Sequence, residues 1–126
     1  MEDTTFRFAE EYASAVHFED SVARGAHPID IHRSTDSKQD VQFLAQAGYI
    51  PYRSMISDGF DNLIVAGRCI SADRQTFASI RVQATAMALG QAAGTAAAIC
   101  MEDGISFSEI DIVKLRERLV EQGADI

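Results

Sequence analysis

Apolar positions along the chain change their period several times. Between residues 5 and 16, Phe6, Phe8, Ala9, Tyr12, Ala13 and Val16 form one apolar set, which predicts an amphipathic helix. Residues 27–32, "HPIDIH", alternate instead. Pro28, Asp30 and His32 face one way and Ile29 and Ile31 the other, which predicts a strand, placed at a sheet edge by its proline. Residues 33–40 are polar and turn-rich and read as an exposed loop. Residues 49–56 read as a strand bent at Pro51, and 57–62 as a turn. "LIVAG", residues 63–67, is a short unbroken apolar run, as expected of a strand covered on both faces.

Helical signals dominate the second half. A long helix is predicted to begin near Ile80–Val82 and to run to about Met101, with Gly104 suited to its C-terminal cap. A final helix has Asp111 as N-cap, Ile112, Leu115 and Leu119 on one face, and Gly123 at its end. Ser106 and Glu109 have capping-box spacing. Short strands alternating with helices predict an α/β fold, with α+β as the alternative, in a single domain over 1–126.

The long helix is stripped of bulky side chains. Ala86, Gly90, Gly94 and Ala98 recur every four residues and share a stripe. A glycine inside a helix costs about 1 kcal/mol relative to alanine. The pattern therefore calls for a compensating close approach, by another backbone or by a flat ligand. The segment 78–81, "ASIR", reads as the entry to this helix, where free N–H groups, the helix dipole and Arg81 could hold negative charge. A strand ending at Ala66-Gly67 would bring a side-chain-free backbone near that point.

Composition narrows the function classes. A net charge of −8, from 19 acidic and 11 basic residues, argues against a nucleic-acid surface and against a basic membrane anchor. The N-terminus lacks the basic and apolar regions of a signal peptide. The weakly polar run 82–101 carries Gln83, Thr85, Gln91 and Thr95 and reads as a buried helix of a soluble protein rather than a membrane span. Cys69 and Cys100 form no CxxC, so neither a disulfide framework nor a zinc site follows, and a reducing cytoplasm is the default location. His17, His27 and His32 lack ligand-like spacing, and no metal is expected.

The block from residue 50 to 98 is similar to the C-terminal part of bacterial FAD-dependent oxidoreductases, in the broad group related to the fumarate reductase flavoprotein. The matching segments are "IPYRS" at 50–54, "DNLIVAGRCIS" at 61–71, "SIRV" at 79–82 and "ALGQAAGTAAA" at 88–98. "DSVARGAHPIDIHRS" resembles the family's substrate-side strand region, and "DIVKLRERLVEQGADI" its terminal helix. The resemblance implies a partial FAD-binding fold in which 1–56 is the substrate side and 57–126 the flavin-ring side. It implies that Ala66, Gly67 and Arg68 pack beside the flavin and ribityl chain. It implies that Ser79, Ile80, Arg81 and Val82 face the pyrimidine side of the ring, where a reduced flavin carries negative charge.

One half of an FAD site is missing from the sequence. The eight glycines include no pair separated by a single residue, so there is no G-x-G-x-x-G turn to hold the ADP end. The chain is expected to be the C-terminal piece of a flavoenzyme, to bind FAD weakly or not at all alone, and to be inactive alone. Uncovered apolar surface is expected to drive self-association or pairing with a complementary chain. The alternative is a non-catalytic, partner-binding remnant of the fold. His32 is the candidate acid or base, set against a structural strand histidine. Arg53 is the candidate for binding a substrate carboxylate, set against a structural salt bridge. Cys69 and Cys100 read as small hydrophobes, Cys69 with the reactive-thiol alternative that neighbouring Arg68 could support.

Overall fold

The computed structural model describes residues 12–32 and 39–126. The helix expected over 5–16 therefore lies outside the described residues except at its end, where Tyr12 and Ala13 are helical. Four strands follow in two antiparallel pairs. β1 (Ser21–Gly25) pairs with β4 (Gly48–Pro51), and β2 (Ile29–His32) pairs with β3 (Gln39–Gln42). Three helices come after them: α1 (Arg74–Ile80), α2 (Gln83–Asp103) and α3 (Ile112–Glu121). The fold is mixed α/β, with antiparallel ribbons rather than a broad sheet.

The core forms where α2 lies on β1 and α3 closes over α2. Leu89, Ala92, Ala96 and Ile99 of α2 meet Leu115 and Leu119 of α3, with Val22, Ala23 and Ile50 from the β1–β4 ribbon. Tyr12 is fully buried and is, with Tyr52, the largest core side chain among the described residues. Its ring fits between Gly25 and Gly48, which pair across the β1–β4 ladder. A Cβ on either glycine would stand under 3.0 Å from Tyr12, so side-chain-free backbone is required at both positions.

Local signals account for the helix ends. Asp111 accepts from the N–H groups of Val113 and Lys114, and Gly104 closes α2 in the left-handed conformation at φ +67°. Ser106 and Glu109 form the reciprocal capping box, around a single 3-10 turn. α2 is long and apolar enough to cross a membrane by length and composition, yet one of its faces is the core wall just described.

Several expectations are corrected. The run 63–67 is not a strand covered on both faces: Ile64 makes an isolated bridge to Ile56, Leu63 is exposed, and Gly67–Cys69 forms a 3-10 turn. Its backbone is held by that one bridge, with the Val65 N–H donating to the Met55 carbonyl, and no strand lies along the rest of it among the described residues. The expected strand 49–56 stops at Pro51 and becomes the 3-10 turn Tyr52–Met55. Gln39 and Asp40, expected in a loop, begin β3, an exposed strand whose pairing with β2 supplies what its sequence does not advertise.

The small-residue stripe is also corrected. Gly90, Gly94 and Ala98 face outward with Met87 and Met101. A Cβ on Gly90 or Gly94 would meet nothing within 4 Å, so no close approach compensates those glycines among the described residues. At the first position there is a neighbour but no tight approach: a Cβ built on Gly67 would stand 3.4 Å from the Cβ of Ala86, an ordinary van der Waals distance.

Candidate functional site

Except for Arg53, the candidate site residues read from the sequence lie at or beside the junction between α1 and α2. α1 itself was not foreseen. Asp73 starts it, accepting from the N–H groups of Gln75 and Thr76 and from the Thr76 hydroxyl. An Asp ahead of a helical stretch was the available signal. The segment 78–81 is therefore the end of α1, not the entry to α2, and the N–H of Arg81 is already bonded to the carbonyl of Phe77. No proline or glycine marks the break. It is made by Val82, which is extended at ψ 158° and forms the N-cap of α2.

This shift changes which groups face outward. Ser79 and Ile80 are buried, and their side chains hold the junction from behind. Ser79 Oγ donates to the carbonyl of His27 and lies 3.0 Å from Tyr12 Oη, which donates to the carbonyl of Gly25. Val82 has no capping hydrogen bond from its side chain, so the first N–H groups of a 21-residue helix, from Gln83 onward, have no capping side chain from Val82. Those groups and the helix dipole are the positive features here.

Arg81 ties the junction to β2: its Nη2 donates to the carbonyl of Asp30 at 3.0 Å. Two residues along the strand, His32 Nε2 lies 3.1 Å from Asp30 Oδ2, and His32 Nδ1 lies 3.3 Å from Gln39 Nε2. His32 and Arg81 are thus joined through one residue, Asp30.

On the other side, Ala66 leads into the turn Gly67–Cys69, which packs on both α1 and α2. Gly67 is at φ +64°, a conformation that favours glycine. The Arg68 guanidinium lies over the Phe77 ring at 6.0 Å from its centroid. Ala66, Gly67, Arg68, Ser79, Ile80, Arg81 and Val82 therefore form one neighbourhood, with His32 beside it. Cys69 is exposed, and Cys100 is buried in the core, where desolvation raises its thiol pKa.

Arg53 stands apart. It follows β4 at the end of the ribbon where Ser21 pairs with Pro51, whereas His32 lies beyond the other end, past Gly25 and Gly48. Its Nη1 meets Asp20 Oδ1 at 2.7 Å and its backbone N–H donates to the other oxygen. Its guanidinium also lies over Phe18. Among the described residues no group of three His, Cys, Asp or Glu side chains gathers as a metal site would require.

The model of a family described as FAD dependent oxidoreductase matches residues 5–119. The chain belongs to the FAD-dependent oxidoreductases. No curated protein and no solved structure matches it. For a member of this family the junction has a chemical fit. The α2 N-terminus, with no side-chain cap hydrogen bond from Val82, suits the electron-rich pyrimidine edge of a flavin, and the turn beside it is led by Gly67, which is itself buried. The fit covers the ring end of the cofactor only, since no glycine fingerprint for the ADP end is present in the sequence.

Proposed function

We propose that this chain supplies the isoalloxazine-side half of the flavin site of an FAD-dependent oxidoreductase, as the C-terminal portion of an enzyme in the fumarate reductase flavoprotein group. The observation that carries the reading is the start of α2, uncapped at Val82, beside the Gly67 turn and tied by Arg81 to the strand bearing His32. Residues 57–126 form the ring side and 1–56 the substrate side, and the ADP end is held by other polypeptide. Bound in this way, the flavin ring supplies a two-electron acceptor or donor for a hydride exchanged with a small-molecule substrate. The chain's own residues do the orienting. The first turn of α2 faces the polarised edge of the ring, Ala66, Gly67 and Arg68 flank it, and buried Ser79 and Ile80 fix the turn between the helices. His32 handles the substrate proton, whereas Arg53, at the other end of the ribbon, fits the structural salt bridge with Asp20 better than a substrate contact.

Titration of FAD into the chain, followed by flavin fluorescence, tests this division. Weak or absent binding by the chain alone is expected, with yellow colour surviving dialysis once polypeptide bearing a G-x-G-x-x-G strand–turn–helix is added. Tight binding by the chain alone, or none after that addition, overturns it.

A second reading is favoured by one observation. The outward face of α2 carries Met87 and Met101, 68% and 85% exposed, on either side of Gly90 and Gly94, with no charged residue between them. Such a face suits a non-catalytic module that pairs with itself or with another chain. Mixing with a chain that bears a G-x-G-x-x-G strand–turn–helix distinguishes it: restored yellow colour and reductase activity would refute this reading, and a stable oligomer that stays colourless and inactive favours it.

A further inference from the structure

We propose that Asp30 is a positioning residue that fixes the imidazole of His32 with Nε2–H toward the carboxylate, leaving Nδ1 as the atom that accepts a proton from substrate. The inference rests on the flavoenzyme reading for its substrate, but its geometry belongs to this chain alone.

The two side chains project from the same face of β2, two residues apart, as strand periodicity requires. Their contact, His32 Nε2 to Asp30 Oδ2, is 3.1 Å. Ionised carboxylates only accept, so the imidazole nitrogen facing Asp30 carries the hydrogen. The group facing the other nitrogen is an amide. Gln39 Nε2 lies 3.3 Å from Nδ1, and an amide nitrogen only donates, so Nδ1 is the acceptor in that contact. Both neighbours therefore select the same tautomer.

Asp30 is suited to the role for two further reasons. Its carbonyl is held by Arg81, which fixes the strand where the carboxylate leaves it. Its Oδ1 is buried with no hydrogen-bond partner among the described residues, so no second donor draws charge from the bond to His32. An orphaned buried acceptor is costly, and such groups persist where function needs them. Gln39 is exposed and its contact is long, so a substrate O–H or N–H can displace it. When that group gives up its proton, its bonding pair stays on the substrate atom, the proton joins Nδ1, and the resulting imidazolium lies against the Asp30 carboxylate. The arrangement orients one base through another residue, as second-layer carboxylates do elsewhere.

The test is a nitrogen-15 NMR spectrum of the full chain without flavin, at mildly alkaline pH where ordinary imidazoles are neutral. Through the ring C–H groups, a pyrrole-type Nε2 shift and a pyridine-type Nδ1 shift are expected for His32, assigned by their loss in H32Q. The two shifts should draw together in Asp30→Ala and stay apart in Gln39→Ala. If Asp30→Ala does not fold, Asp30→Asn decides, with a smaller convergence expected. A pyridine-type Nε2, or shifts indifferent to Asp30, overturns the proposal. Flavin plays no part in the measurement, so its failure is separate from failure of the flavin-site reading.

Discussion

Tyr12 and Ser79, 67 residues apart, place their hydroxyl oxygens 3.0 Å from each other inside the protein. Tyr12 also donates to the carbonyl of Gly25 and Ser79 to the carbonyl of His27. Two hydroxyl protons are shared among three contacts, two of them satisfied at a time, and the cluster ties α1 to the end of β1 and to the connection between β1 and β2. Burial raises the Tyr12 pKa and the Ser79 contact opposes that rise, so the phenol stays protonated and able to donate.

Tyr12→Phe is expected to cost about 1–3 kcal/mol, because the buried Gly25 carbonyl loses its donor. Ser79→Ala should fall in the same range. The double variant should lose less than the sum, with a coupling of about 0.5–3 kcal/mol. Urea denaturation of the three variants measures this, and strict additivity would refute the shared cluster.

Gly48→Ala and Gly90→Ala should move stability in opposite directions. At Gly48 an added Cβ would meet the Tyr12 ring, and overpacking of this kind costs about 1–3 kcal/mol or more. At Gly90 the same methyl meets open space within a helix, so a gain of about 0.5–1 kcal/mol is expected. Thermal unfolding of the two variants checks the contrast. A loss of stability at Gly90 would mean that its face is already covered.

Glu109 should titrate below the ordinary glutamate value of 4.5, because it accepts from the backbone N–H of Ser106 and from its hydroxyl. A depressed carboxyl pKa stabilises the fold fully above the unfolded value, and that contribution is lost as pH falls through the folded one. Acidification below 4.5 should therefore open the capping box before α3 unfolds. Carboxyl-carbon NMR titration would show a low midpoint for Glu109 that rises only part of the way in Ser106→Ala, because the backbone N–H at 106, the larger cause, still donates.

Arg53→Ala should change stability by no more than about 1 kcal/mol, since its ion pair with Asp20 is partly exposed. If Arg53 binds substrate, the same variant in the assembled enzyme raises KM, and Arg53→Lys restores it poorly because lysine lacks the two-pronged guanidinium. Comparison of unfolding midpoint with KM separates the two roles. An unchanged KM would leave Arg53 as a surface tie between the Asp20 turn and the end of β4.

The helix ends were legible because their determinants are local. Asp111, Gly104 and the Ser106–Glu109 pair each satisfy backbone groups within a few residues of themselves. The alternation of residues 27–32 likewise gave β2 and put Asp30 beside His32. Candidate site residues were legible mainly through family resemblance, because "AGR" and "SIRV" carry no chemistry that spacing alone would reveal. The break at Arg81–Val82 was not legible, since neither residue forbids a helix. What ends α1 there is tertiary: Arg81 reaches the Asp30 carbonyl and Ser79 the carbonyl of His27.

The sequence by itself determined the long Ala/Gly helix, the caps, the acidic surface and the absence of a dinucleotide fingerprint, all of which follow from composition and short-range spacing. Tertiary structure alone decided that LIVAG would not be a sheet strand, because a strand needs partners along its whole length and Ile64 makes one isolated bridge. It also decided which way the glycine stripe points. Helical periodicity fixes which residues share a face, but only the packing of Leu89, Ala92, Ala96 and Ile99 into the core turns Gly90 and Gly94 outward.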